Sequence, residues 1–83
     1  MVILNSFVGE EINSYTKDVI LSTIREGKQS QKYKAELIFN RYSLEFLFPE
    51  NCVIIYDDVF SEDAPLKLWL DDFINAVSKD KEE

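Results

Sequence analysis

Histidine is absent from these 83 residues, and cysteine, methionine, tryptophan, glycine and proline are each present once or twice only. Without histidine the chain lacks the usual general base near neutral pH, the commonest metal ligand and two of the standard catalytic triads. The single cysteine, Cys52, rules out an intramolecular disulfide, so the staples of small secreted domains are missing and a reducing compartment is expected. Gly9 and Gly27 stand far apart, which leaves no glycine-rich loop to cradle a phosphate. No apolar run approaches the ~20 residues of a membrane span. Met1 to Val8 has neither the basic start nor the apolar length nor the cleavage site of a signal peptide. A cytoplasmic protein without catalytic activity, metal or cofactor is the expectation.

What is present is enough for one core. The composition is 46% hydrophobic and 13% aromatic, which can offset the conformational entropy of ordering most of one small domain. Charge is unevenly spread. Residues 1–44 hold five acids against six bases, a balance of +1, whereas residues 45–83 hold eleven acids against three bases, a balance of −8. That field opposes direct contact with nucleic acid or anionic lipid and favours a basic partner, or else it serves only to keep the chain soluble.

Leu4, Val8, Ile12 and Tyr15 are spaced as one stripe of a helix, which predicts a helix over 2–15. Gly9 disfavours it by about 1 kcal/mol relative to Ala, so a strand at 2–7 followed by a helix from Glu10 is the alternative. Thr16, Val19, Ile20, Thr23 and Ile24 are β-branched and predict a strand over 18–25, with Glu26 to Gln31 as a loop turned by Gly27. Strict alternation in Tyr33, Ala35, Leu37, Phe39 and again in Tyr42, Leu44, Phe46, Phe48 predicts a hairpin, 33–39/42–48, with one buried face. Ile38 and Leu47 break the polar pattern of the second face and suggest partial cover there. Pro49 ends the hairpin, Glu50-Asn51 turns the chain, and Cys52 to Tyr56 reads as a central strand buried on both faces. The apolar positions Leu66, Trp69, Leu70, Phe73, Ile74 and Val77 form a helix stripe. Either Leu68 is an exposed anchor on that helix, or Pro65 to Leu68 is a short extended piece and the helix begins near Trp69, the arrangement adopted here. The whole is an α+β domain spanning 1–83, a small antiparallel sheet of three or four strands with the 33–39/42–48 hairpin central, packed against an N-terminal and a C-terminal helix. Residues 79–83 are expected to fray.

Few residues suggest chemistry. Cys52 lies in an apolar run without a base to deprotonate it and reads as core. Adjacent acids such as Glu10-Glu11 or Asp71-Asp72 point in different directions on a helix or strand, which does not suit a cation site. Lys28, Lys32, Lys34 and Arg41 with Tyr33 and Tyr42 imitate a strip for single-stranded nucleic acid, against the acidic second half. The remaining candidate is a partner-binding surface made of Asp57, Asp58, Val59, Phe60, Glu62, Asp63, Leu68, Asp71 and Asp72. Carboxylates speed encounter with a basic partner, and a central aromatic supplies affinity. The competing account packs Val59 and Phe60 on the core and leaves the acids to cap the last helix.

A strand ending in acids, an acidic loop and the segment Leu70-Asp71-Asp72-Phe73-Ile74-Asn75-Ala76-Val77 resemble the C-terminal part of small immunity proteins of bacterial polymorphic and contact-dependent toxin systems. The resemblance covers about residues 50–78. It implies a non-enzymatic inhibitor whose acidic face neutralises a basic toxin or nuclease domain. A DNA-mimicking inhibitor of phage type and a structural or dimerising subunit, using an open hairpin edge or the Ile38 and Leu47 face, are the alternatives.

Overall fold

The computed structural model describes residues 2–59 and 64–79. Its elements run α1 (Val2–Glu11), α2 (Ser14–Gln29), β1 (Lys34–Ile38), β2 (Tyr42–Leu47), β3 (Cys52–Asp57), β4 (Leu66–Trp69) and α3 (Leu70–Lys79). The strands form one antiparallel sheet in the order β1-β2-β3-β4, so β2 and β3 are central and β1 and β4 are edges. The α+β architecture expected from the sequence is thus the one observed.

The first two helices depart from expectation. The predicted helix over 2–15 stops at Glu11, and the predicted strand over 18–25 is the middle of α2. Asn13 explains both differences. Its side-chain oxygen accepts from the Thr16 amide at 3.0 Å, while its own amide donates to Thr16 Oγ1 at 2.9 Å, a reciprocal cap that starts a new helix. Ile20, Ile24 and Gly27 then fall on one helical face and are buried, and that burial outweighs the strand preference of the β-branched residues. Tyr15, beyond the break, is 75% exposed and leaves the stripe, whereas Leu4, Val8 and Ile12 pack against the core in which Phe7 of α1 is fully buried.

Gly27 does not turn a loop. It lies inside α2 where a methyl group would collide with the Phe48 ring, so the missing side chain permits close approach of helix and sheet. The chain reverses instead at Gln31, which has φ +56°. Asn51 also has φ +56°, a conformation asparagine tolerates, in the turn that closes with the Asn51 amide donating to the Phe48 carbonyl at 3.0 Å.

One face of the sheet carries the core. Ala35 and Leu37 of β1, Tyr42, Leu44 and Phe46 of β2, Val53 and Ile55 of β3, and Leu66 and Leu68 of β4 meet Phe7, Ile20, Ile24, Leu70, Phe73 and Val77 of the helices. Phe7 sits edge-on to Tyr42 at 5.6 Å and Phe73 edge-on to Phe46 at 6.1 Å, so the helices interlock with the hairpin through aromatic rings. Each such buried side chain contributes about 1.5–3 kcal/mol by leaving water.

Among the described residues no helix lies over the opposite face. β3 is central as expected but is not covered on its second side, where Ile54 and Tyr56 stay half-buried and only Cys52 is buried. The apolar piece at 65–68 proves to be the fourth strand, with α3 following directly at Leu70. No helix among the described residues is long and apolar enough to cross a membrane.

Candidate partner-binding surface

The hairpin turn and the end of β3 are locked together. Tyr42 pairs with Asp57 in the sheet register, which brings Arg41, one residue earlier, over the Asp57 carboxylate. Arg41 Nε donates to Asp57 Oδ1 at 3.2 Å and Nη2 to Oδ2 at 2.9 Å, a two-pronged grip. Its Nη1 reaches Glu10 of α1, donating to Oε1 at 3.3 Å and Oε2 at 3.1 Å. The guanidinium carbon also lies 4.9 Å from the Tyr42 ring centre. The bond to Asp57 above all holds Arg41 protonated beyond its ordinary range. Three elements therefore meet at one cation.

That grip fixes how the chain leaves β3. The Asp58 amide donates to the Arg41 carbonyl at 2.7 Å, the Val59 amide donates to Asp57 Oδ1 at 3.1 Å, and Ser43 Oγ donates to the Asp58 carboxylate at 3.0 Å. Asp58 and Val59 consequently point outward from a braced start, and Val59 is 60% exposed.

Among the described residues the expected acidic surface does not form one patch. Asp57 is only 7% exposed, so it braces the fold from inside instead of lining the surface. Leu68 lies on the inner face of β4 against the core and is not an anchor projecting from a helix. Asp71 and Asp72 stand in the first turn of α3, where negative charge is favourable, but at the far end of the sheet. The reason is β4: its antiparallel pairing sets Trp69 beside Cys52, the opposite end of β3 from Asp57. Five residues of strand separate the two groups of acids by roughly 17 Å. Phe60, Glu62 and Asp63 lie outside the described residues.

At that far end Glu50, Cys52, Lys67, Leu68, Trp69 and Asp72 line an open cleft of about 540 Å³. Trp69, assigned to the core by spacing alone, is 62% exposed there. Burial pushes the Cys52 thiol above its ordinary range, which keeps it protonated and weakly nucleophilic.

Sheet parity places Trp69 on the uncovered face with Lys34, Glu36, Ile38, Ser43, Glu45, Leu47, Cys52, Ile54, Tyr56 and Lys67. Ile38 is 77% exposed, so the partial cover expected over it on the second face is not found. Glu45 is the polar centre of this face: Tyr56 donates to its Oε1 at 2.8 Å and Lys34 to its Oε2 at 3.2 Å. The Tyr56 bond first and the Lys34 bond second hold Glu45 below the usual carboxylate range. The same bond to Glu45 pushes the Tyr56 phenol up.

Among the described residues no three potential metal ligands cluster together. The chain matches no protein-family profile, no curated protein and no solved structure.

Proposed function

We propose that the chain is a non-enzymatic protein-binding inhibitor of the immunity type, acting in the cytoplasm on a basic partner. The contact segment is the stretch that leaves β3: Asp58 and Val59, continued by Phe60, Glu62 and Asp63. The observation that carries this reading is the brace beneath it. Arg41 and Asp57 hold Asp58 and Val59, the first residues of an acidic, partly apolar segment, in a fixed, outward position, so little ordering entropy opposes binding through these two residues. The charge balance of −8 in residues 45–83 favours fast encounter with a cationic surface.

The test is affinity capture from a lysate of the source cell with wild type and with Asp58→Asn/Glu62→Gln/Asp63→Asn, at low and high salt. A basic protein retained by wild type at low salt, weakened by salt and lost from the variant is the expected result. Equal retention by both proteins at both salt concentrations overturns the proposal.

A further inference from the structure

The charges of α1 oppose its own helix. Its first turn holds no acid and its last turn no base, and Glu10 and Glu11 stand at the carboxyl end, where negative charge is unfavourable. The other two helices are favoured at their starts, α2 by the reciprocal cap at Asn13 and α3 by Asp71 and Asp72. Gly9 weakens α1 further. A methyl group there would meet nothing within 4 Å among the described residues, so unlike Gly27 it serves no close approach.

What keeps α1 helical is therefore its docking. Phe7 is fully buried, its ring centre 5.6 Å from that of Tyr42, 5.7 Å from Phe39 and 6.1 Å from Phe73, and Leu4, Val8 and Ile12 are partly buried against the same core. Even this docking has a flaw. The Tyr42 hydroxyl is buried and has no hydrogen-bond partner among the described residues, since Ser6 of α1 comes near without completing a bond. A donor closed off in this way favours the state in which water reaches it. Among the described residues a single ion pair ties α1 to the sheet, Glu10 with Arg41 at 3.1 Å. That cation is the one that grips Asp57.

We infer that α1 is a latch: it lifts from the sheet as a unit while α2, α3 and the sheet keep their fold, and its position sets whether Asp58 and Val59 are held. The link runs through Arg41. When α1 lifts, Arg41 loses Glu10, and both bonds that order the contact segment depend on Arg41. The Asp58 amide donates to its carbonyl, and the Val59 amide donates to the carboxylate that it grips. Docked α1 is thus the state that presents the segment. Burial of Phe7 keeps the lifted state a small minority. A partner that takes the ordered segment also holds α1 down, because coupling between two sites is reciprocal. That last role rests on the function proposed above; the motion of the latch does not.

Amide hydrogen exchange of the free, full chain, read residue by residue by NMR in urea below the unfolding transition, tests the latch. Amides of residues 6–12 should exchange about tenfold or more faster than those of Ile24, Glu45 and Ile54, and with a weaker dependence on urea, because lifting exposes less surface than unfolding. Gly9→Ala, whose methyl group meets nothing, should slow residues 6–12 about fivefold. The Asp58 and Val59 amides should share the weak urea dependence of α1 and be slowed by a like factor in the same variant. Residues 6–12 that exchange only with global unfolding, at the rate of Ile54, overturn the latch. Asp58 and Val59 amides indifferent to Gly9→Ala overturn its link to the contact segment, and with it the proposal. Neither result involves a partner, so failure of the latch leaves the capture experiment to decide the proposed function by itself.

Discussion

Arg41 grips Asp57 through two hydrogen bonds, 3.2 Å from Nε to Oδ1 and 2.9 Å from Nη2 to Oδ2, with the carboxylate almost wholly removed from water. A carboxylate buried in this way depends on its partner, and the partner in turn depends on Glu10 and the Tyr42 ring for its position. The acid that looks most like part of a docking surface in the sequence is therefore structural.

Asp57→Ala and Asp58→Ala should separate in a thermal melt. Loss of the buried acid is expected to lower the midpoint by about 10 °C, and loss of the exposed one by less than about 3 °C. Equal shifts would contradict the distinction drawn between brace and surface.

Gly27→Ala should destabilise despite the better helix propensity of alanine. The new methyl group meets the Phe48 ring, and overpacking of this kind costs about 1–3 kcal/mol, more than the ~1 kcal/mol gained in the helix. Urea denaturation measures it, and Phe48→Leu in the same chain should recover part of the loss by making room.

Asn13→Ala should cost about 1 kcal/mol through loss of the cap on α2. Helicity of a peptide spanning residues 12–31, read by circular dichroism, should fall with the same substitution. An unchanged peptide would mean that packing alone sets the start of α2.

Tyr56→Phe should cost about 1 kcal/mol at pH 7 and progressively less in acid. Glu45 is held below its ordinary value in the fold, so the unfolded chain binds its proton first as pH falls. Its contribution is complete above the unfolded carboxylate pKa of about 4.3 and is lost as pH drops through the lower folded value. Urea midpoints of wild type and variant at pH 7 and at about pH 3 should therefore converge.

Alternation was the most readable signal. Tyr42, Leu44 and Phe46 repeat every second residue because one sheet face is buried, and that pattern exists in the sequence independently of what covers it. Ile38 and Leu47, out of step with the polar positions, suggested a cover that Ile38 does not have, because an apolar residue on an edge strand reports nothing about what lies over it. The segment from Thr16 to Ile24 misled because β-branched residues report only a weak preference. The cap at Asn13 and the spacing of Ile20, Ile24 and Gly27 were the stronger signs of helix. Nothing local in the sequence announced the pairing of Arg41 with Asp57, since the two are sixteen residues apart and meet only through the register of β2 on β3.

By itself the sequence determined the α+β class, the hairpin, the short extended piece before the last helix and the concentration of acid in the second half. These follow from side-chain period and from composition, which are properties of neighbours along the chain. Only the tertiary structure decided how the acids are arranged. β4 returns antiparallel to β3, so Asp71 and Asp72 are carried to the end of the sheet opposite Asp58, and Trp69 is turned onto the uncovered face. Strand direction and pairing partner are set by contacts between distant residues, and for that reason the separation of Asp58 from Asp71 and Asp72 could not be read from the order of the residues.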